Sequence, residues 1–125
     1  MVVILKNKRT MIQVQTNDPK GLLDKIREAI ENNVVVTWHL DNDGDFLPTQ
    51  EQWIGKAWIT PLITEDDPNS LYFGIIESKQ QRMTKTIYGV FLGRFAEMLL
   101  THFDTDMKSL CISPLLVDNI DVFTK

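Results

Sequence analysis

Both histidines of this 125-residue chain head the same short spacing, His39-x-Asp41-x-Asp43 and His102-x-Asp104-x-Asp106. Imidazole nitrogens and carboxylate oxygens form the donor set of zinc, manganese and non-haem iron centres, so the two segments could hold one ion if the fold joined them. On a continuing strand, period two would put His39, Asp41 and Asp43 on one face. The second copy falls where a helix should end, and there a histidine is equally well explained by the negative end of the helix dipole. Aspartates at this density are also turn formers. Turn chemistry is the expected outcome for both copies, and no cofactor is expected.

Three further groups invite a chemical reading. Asp41-Asn42-Asp43-Gly44-Asp45 is dense enough in carboxylates to hold a weak cation. The EF-hand register fails, however: with Asp41 at position one, Phe46 stands where the glycine belongs and Gln52 where the bidentate glutamate belongs. A hairpin loop built on Asp43-Gly44 is the simpler expectation. Lys79, Arg82 and Lys85 lead into a predicted helix whose first N–H groups could receive an anion, although basic residues at a helix start are unfavourable without one. Cys111 sits in an apolar strand pattern with no neighbouring base and reads as an inert core thiol. No serine has a nucleophile-elbow context and there is no glycine-rich phosphate loop.

The distribution of aromatic and acidic residues is the more informative signal. Residues 34–77 hold all three tryptophans and eight of the seventeen acids against a single base, Lys56, a formal charge of −7. Such asymmetry bears on partners and solubility rather than on fold. Read as one strand from Trp53 to Thr60, alternation puts Trp53 and Trp58 on opposite faces, so that one of them leaves the core. Trp38, Trp53, Trp58 and Tyr72 are therefore the candidates for a ligand or partner surface.

The elements that would carry these residues follow from periodicity. Val2–Leu5 and Thr10–Thr16 are β-prone. Asp18 or Asn17 as N-cap, Pro19 in the first turn, and Leu22, Leu23, Ile26, Ala29 and Ile30 at helical spacing predict an amphipathic helix over 18–32. Strands are expected at Val34–Leu40, Trp53–Thr60 and Leu71–Ile76, joined by loops too short for a crossover helix, hence antiparallel. A second helix, roughly Thr84 to Phe103, is apolar around most of its circumference and should be largely buried. Gly89 and Gly93 lie on one stripe of it. Because glycine lowers helix propensity, they predict a close backbone contact there. Lys108–Ile112 and Ile120–Phe123 read as short final strands.

The order is roughly β-α-β-β-β-α-β, an α+β class in which two helices pack on a mostly antiparallel sheet of four to six strands. Length and ordinary composition fit one domain over 1–125 with its own core. One cysteine, no signal-peptide pattern and no uninterrupted apolar run predict a cytoplasmic protein without a membrane segment. A pI near 5.1 argues against nucleic acid. The expected function is that of a small binding or protein-interaction module. It would use an aromatic, acid-fringed sheet surface as a homodimer whose second subunit covers the Trp53- or Trp58-bearing face. The alternative is a small-molecule enzyme with a pocket between the second helix and the sheet, using His39, Asp41 or His102.

Overall fold

A computed structural model describes residues 11–114 and 123–124. Strand β1 (Met11–Gln15) leads into helix α1 (Pro19–Glu31), followed by β2 (Trp38–Leu40), β3 (Phe46–Pro48), β4 (Ala57–Leu62) and β5 (Ser70–Glu77). Helix α2 (Lys85–His102), β6 (Ser109–Ile112) and β7 (Phe123–Thr124) complete the order. The fold is the α+β class expected. Four strands rather than three separate the helices, because Phe46–Pro48 forms a short strand of its own. The segment Val2–Leu5 lies outside the described residues.

The sheet runs β2-β3-β4-β5-β1-β6 with every neighbouring pair antiparallel, and β7 joins β5 in parallel at Ile76 and Glu77. Alternation divides it into two unlike faces. Ile12, Val14, Ala57, Ile59, Leu71, Phe73 and Ile75 point to the helices and join the core, while Gln13, Trp58, Thr60, Leu62, Tyr72 and Ile76 stand on the reverse.

Helix α1 starts as its sequence requires: the Asp18 carboxylate accepts the Gly21 N–H at 3.0 Å, and Pro19 fills the first turn. It buries Leu22, Leu23 and Ile26, and it stops where Asn33 takes a positive φ of 62°. Helix α2 is capped by Thr84, whose hydroxyl accepts the Ile87 N–H at 3.1 Å. It lays Ile87, Tyr88, Phe91, Leu92, Phe95, Ala96, Met98 and Leu99 on the core. The ring of Phe95 is the hub, with centroid distances of 4.7 Å to Phe73, 4.9 Å to Trp38 and 5.3 Å to Phe46. Edge and tilted stacking of this kind adds about 0.5–1.5 kcal/mol per pair beyond the area buried. No described helix is long and apolar enough to cross a membrane.

Candidate functional site

The four aromatic candidates part company. Trp38 is 2% exposed and packs edge-on against Phe91 and Phe95, so it is core. Tyr72 is 1% exposed, although its strand position places it on the face away from the helices. Neither can present a surface. Trp53 belongs to a 3-10 turn (Glu51–Trp53) instead of a strand, because β4 begins only at Ala57 after Gly55 takes a positive φ of 82°. Its ring stands edge-on to Phe91 of α2, and its buried Nε1 has no hydrogen-bond partner. Trp58 does lie on the reverse face of the sheet, partly exposed and opposite Ile76.

That reverse face carries the acidic fringe at one end. The Tyr72 hydroxyl donates to Asp67, and Gln13 Nε2 donates to Ser70 Oγ (3.2 Å) and to Tyr72 Oη (3.4 Å). Burial, followed by the Asp67 hydrogen bond and its negative charge, pushes the Tyr72 hydroxyl up to about 12. Tyr72 sits opposite Leu62, so this network fastens the Glu65-Asp66-Asp67 turn to the end of the β4–β5 pair. The two rungs between Trp58 and that turn are Thr60 opposite Gly74 and Leu62 opposite Tyr72.

The repeated His-x-Asp-x-Asp segments do not combine. Strand β2 ends at Leu40, so the alternation that would align His39 with Asp41 and Asp43 stops where the chain turns. Asp41 becomes the hub of that turn: one of its carboxylate oxygens accepts the N–H groups of Asp43 and Asp45, both at 2.9 Å. Gly44 supplies the positive φ of 84°. Among the described residues the one metal-capable group of three is Asp41, Asp43 and Asp45, with donor atoms within 4.8 Å of one another, and His39 is outside it. Arg27 of α1 reaches this loop, since a Cβ on Gly44 would lie 3.5 Å from its Nη2.

The second copy has other partners. Asp104–Asp106 forms a 3-10 turn, the Asp106 carboxylate pairs with Lys25 at 2.7 Å, and its carbonyl accepts the Thr16 hydroxyl at 2.8 Å. It is therefore anchored at the β1–α1 junction, whereas the first copy sits on the β2–β3 hairpin at the far edge of the sheet. His39 and His102 are both exposed. Asp106 and, less, Asp18 hold the Lys25 ammonium above its ordinary value.

Lys79, Arg82 and Lys85 are exposed around the start of α2. Two N–H groups around this start are engaged within the chain, Met83 N–H by Glu77 (2.8 Å) and Ile87 N–H by Thr84. Nothing in the sequence signals that Glu77 folds back onto this turn. Cys111 is exposed on strand β6, on the same side as Gln13, which overturns the core assignment.

Among the described residues, clefts flank both helices. One, of about 280 Å³, lies at the start of α1 between Asp18, Lys25, Asp106 and Lys108. Another, of about 380 Å³, lies between α2 and the β2–β3 hairpin, lined by Thr37, Trp38, Pro48, Gln50, Arg94 and Glu97. Its position is the one expected for an enzyme pocket, yet His39, Asp41 and His102 do not line it. Arg94 instead donates to Gln50 across its mouth.

Gly89 and Gly93 correct the packing expectation most directly. Both are exposed, and a Cβ built on either meets no atom within 4 Å. The buried stripe of α2 runs through Phe91, Phe95 and Leu99, and the glycines lie opposite it.

No protein-family model matches the sequence, and no curated protein or solved structure matches it either.

Proposed function

We propose that this chain is a binding module whose contact surface is the reverse face of the sheet, centred on Trp58. The observation that carries the reading is the Trp58–Ile76 pair, partly exposed on the face that neither helix covers. Leu62, also partly exposed, extends the apolar strip toward the acidic turn that Tyr72 fastens in place. An aromatic centre beside a rim of carboxylates suits a partner offering an apolar side chain flanked by lysine or arginine. The separation of the two histidine segments, and their absence from the cleft beside α2, weigh against a histidine-based enzyme.

The test is comparative capture with the wild-type chain, Trp58→Ser, and a Glu65→Lys/Asp66→Lys variant, each first checked for an unchanged thermal midpoint. The reading expects one partner to be retained by wild type, lost on Trp58→Ser, and weakened by the charge reversal in low salt. Equal retention by all three would overturn it.

A further inference from the structure

Helix α2 has an unusual outer face. Its exposed positions include Lys85, Gly89, Gly93, Arg94, Glu97 and Leu100, and Leu100 is 55% exposed. A surface helix ordinarily turns charged residues outward. Here the centre of the outer face is flat, two glycines one turn apart, and no described neighbour would lie within 4 Å of a Cβ on either. Among the described residues nothing compensates for the helix propensity they give up.

The residues four apart on this face form one row, Lys85, Gly89, Gly93, Glu97, Thr101, and all five are exposed. Lys85 and Glu97 stand equally far on either side of the glycine pair with opposite charges. Neither forms an ion pair with another described residue. A row with these properties is complementary to its own antiparallel copy.

We infer that the outer face of α2 is a self-association surface, on which two copies of the chain pack antiparallel about a two-fold axis passing midway between Gly89 and Gly93. Helices that pack through rows of every fourth residue cross at about −50°, an angle that brings the two rows parallel along the contact. Gly89 then lies beside Gly93 of the second copy, the two backbones approach without intervening side chains, and Lys85 lies beside Glu97 of the second copy at both ends. Two-fold symmetry requires this reciprocity: whatever one copy offers at position 85, the other must answer at 97. The surface lies on the helix side of the sheet, away from Trp58, so it does not depend on the binding reading above and can fail separately from it.

Sedimentation across nanomolar to high-micromolar concentration tests it. Wild type is expected to dimerise reversibly, and Trp58→Ser to leave that dimer unchanged. Gly93→Arg, which points into open space and so should keep its fold and thermal midpoint, is expected to be monomeric. Lys85→Glu and Glu97→Lys each put like charges at both ends and should raise the dimer dissociation constant about tenfold or more in low salt. Their combination restores opposite charges and should return it to within about threefold of wild type. A wild type that stays monomeric overturns the inference. So does a dimer that survives Gly93→Arg, or a double reversal no better than the single ones.

Discussion

The Lys25 ammonium lies 2.7 Å from the Asp106 carboxylate, joining the exposed side of α1 to the turn that follows α2. The hydrogen bond to Asp106 and its charge raise the lysine above its ordinary 10.5, with Asp18 adding to them and desolvation opposing. A raised folded-state value means that the contribution is complete below 10.5 and fades as pH rises through the folded value. Lys25→Met is therefore expected to lower the urea midpoint at pH 8 and to differ less from wild type at pH 11. The gap should also narrow in salt, because the pair is exposed. A gap that is constant in both pH and salt would make the loss one of packing by the lysine stem.

The Asp41 carboxylate organises its hairpin loop through two backbone N–H groups. Asp41→Ala should cost roughly 1–2 kcal/mol, the scale of charge-assisted hydrogen bonds at a partly exposed site. Asp41→Asn, which keeps an acceptor oxygen, should cost less. If the carboxylates serve the turn alone, zinc, manganese and calcium leave the melting temperature unchanged. A stoichiometric metal-induced rise that disappears in Asp43→Asn would instead assign an ion to the loop.

The cap of α1 makes a prediction that depends on two residues at once. A Cβ at Gly21 would come within 2.2 Å of an Asp18 carboxylate oxygen in its capping position. Gly21→Ala should consequently gain helix propensity of about 1 kcal/mol and lose a cap worth about the same, leaving stability near wild type. In an Asp18→Ala background the collision is gone, and the same substitution should stabilise by up to about 1 kcal/mol. Equal effects of Gly21→Ala in both backgrounds would mean that the carboxylate does not hold this position in solution.

What the sequence made legible was local. Asp18-Pro19 with a run of apolar residues at helical spacing specified α1. The β-prone runs placed the main strands but misjudged their bounds: the expected strand Val34–Leu40 is strand only from Trp38 on, and Val34 and Val36 are exposed before it. The hidden parts are those decided by distant chain. Trp38 is indistinguishable from Trp58 by residue type, yet Phe91 and Phe95, more than fifty residues along, make it core, and Asp67 and Gln13 hold the hydroxyl of the buried Tyr72. The break in the strand at Gly55 was signalled by that glycine and moved Trp53 onto α2. His39 and His102 share a spacing but no neighbourhood, because β2 and the turn after α2 are fixed to opposite edges of the sheet.

Tyr72 contributes to the alkaline sensitivity of the fold. Burial and Asp67 push its hydroxyl up to about 12 in the folded chain, from 10.0 for a free tyrosine. The unfolded state thus loses its proton first. The contribution is complete below pH 10 and is lost as pH rises from 10 to 12. Stability should fall across that window in wild type, and the slope should flatten in Tyr72→Phe. Absorbance near 295 nm during a pH titration supplies the second check: the tyrosinate signal near pH 12 should be smaller in the variant. An unaltered titration in Tyr72→Phe would remove Asp67 and burial as the controlling influences.

Gly89 and Gly93 separate the monomer from its assembly. Among the described residues of one chain, a methyl at either position meets no neighbour within 4 Å. The glycine backbone also surrenders more entropy on folding than alanine does, so each alanine should stabilise the helix by up to about 1 kcal/mol. That gain belongs to the monomer and should be read at a protein concentration low enough for sedimentation to show a single chain. At high concentration the same methyls stand between two backbones and should weaken association, so that stability falls behind the dilute-state gain as concentration rises. The pair of measurements discriminates cleanly. A concentration-independent gain in both variants would mean that the outer face of α2 serves no contact, and a loss in the dilute monomer would mean that these glycines meet a part of their own chain.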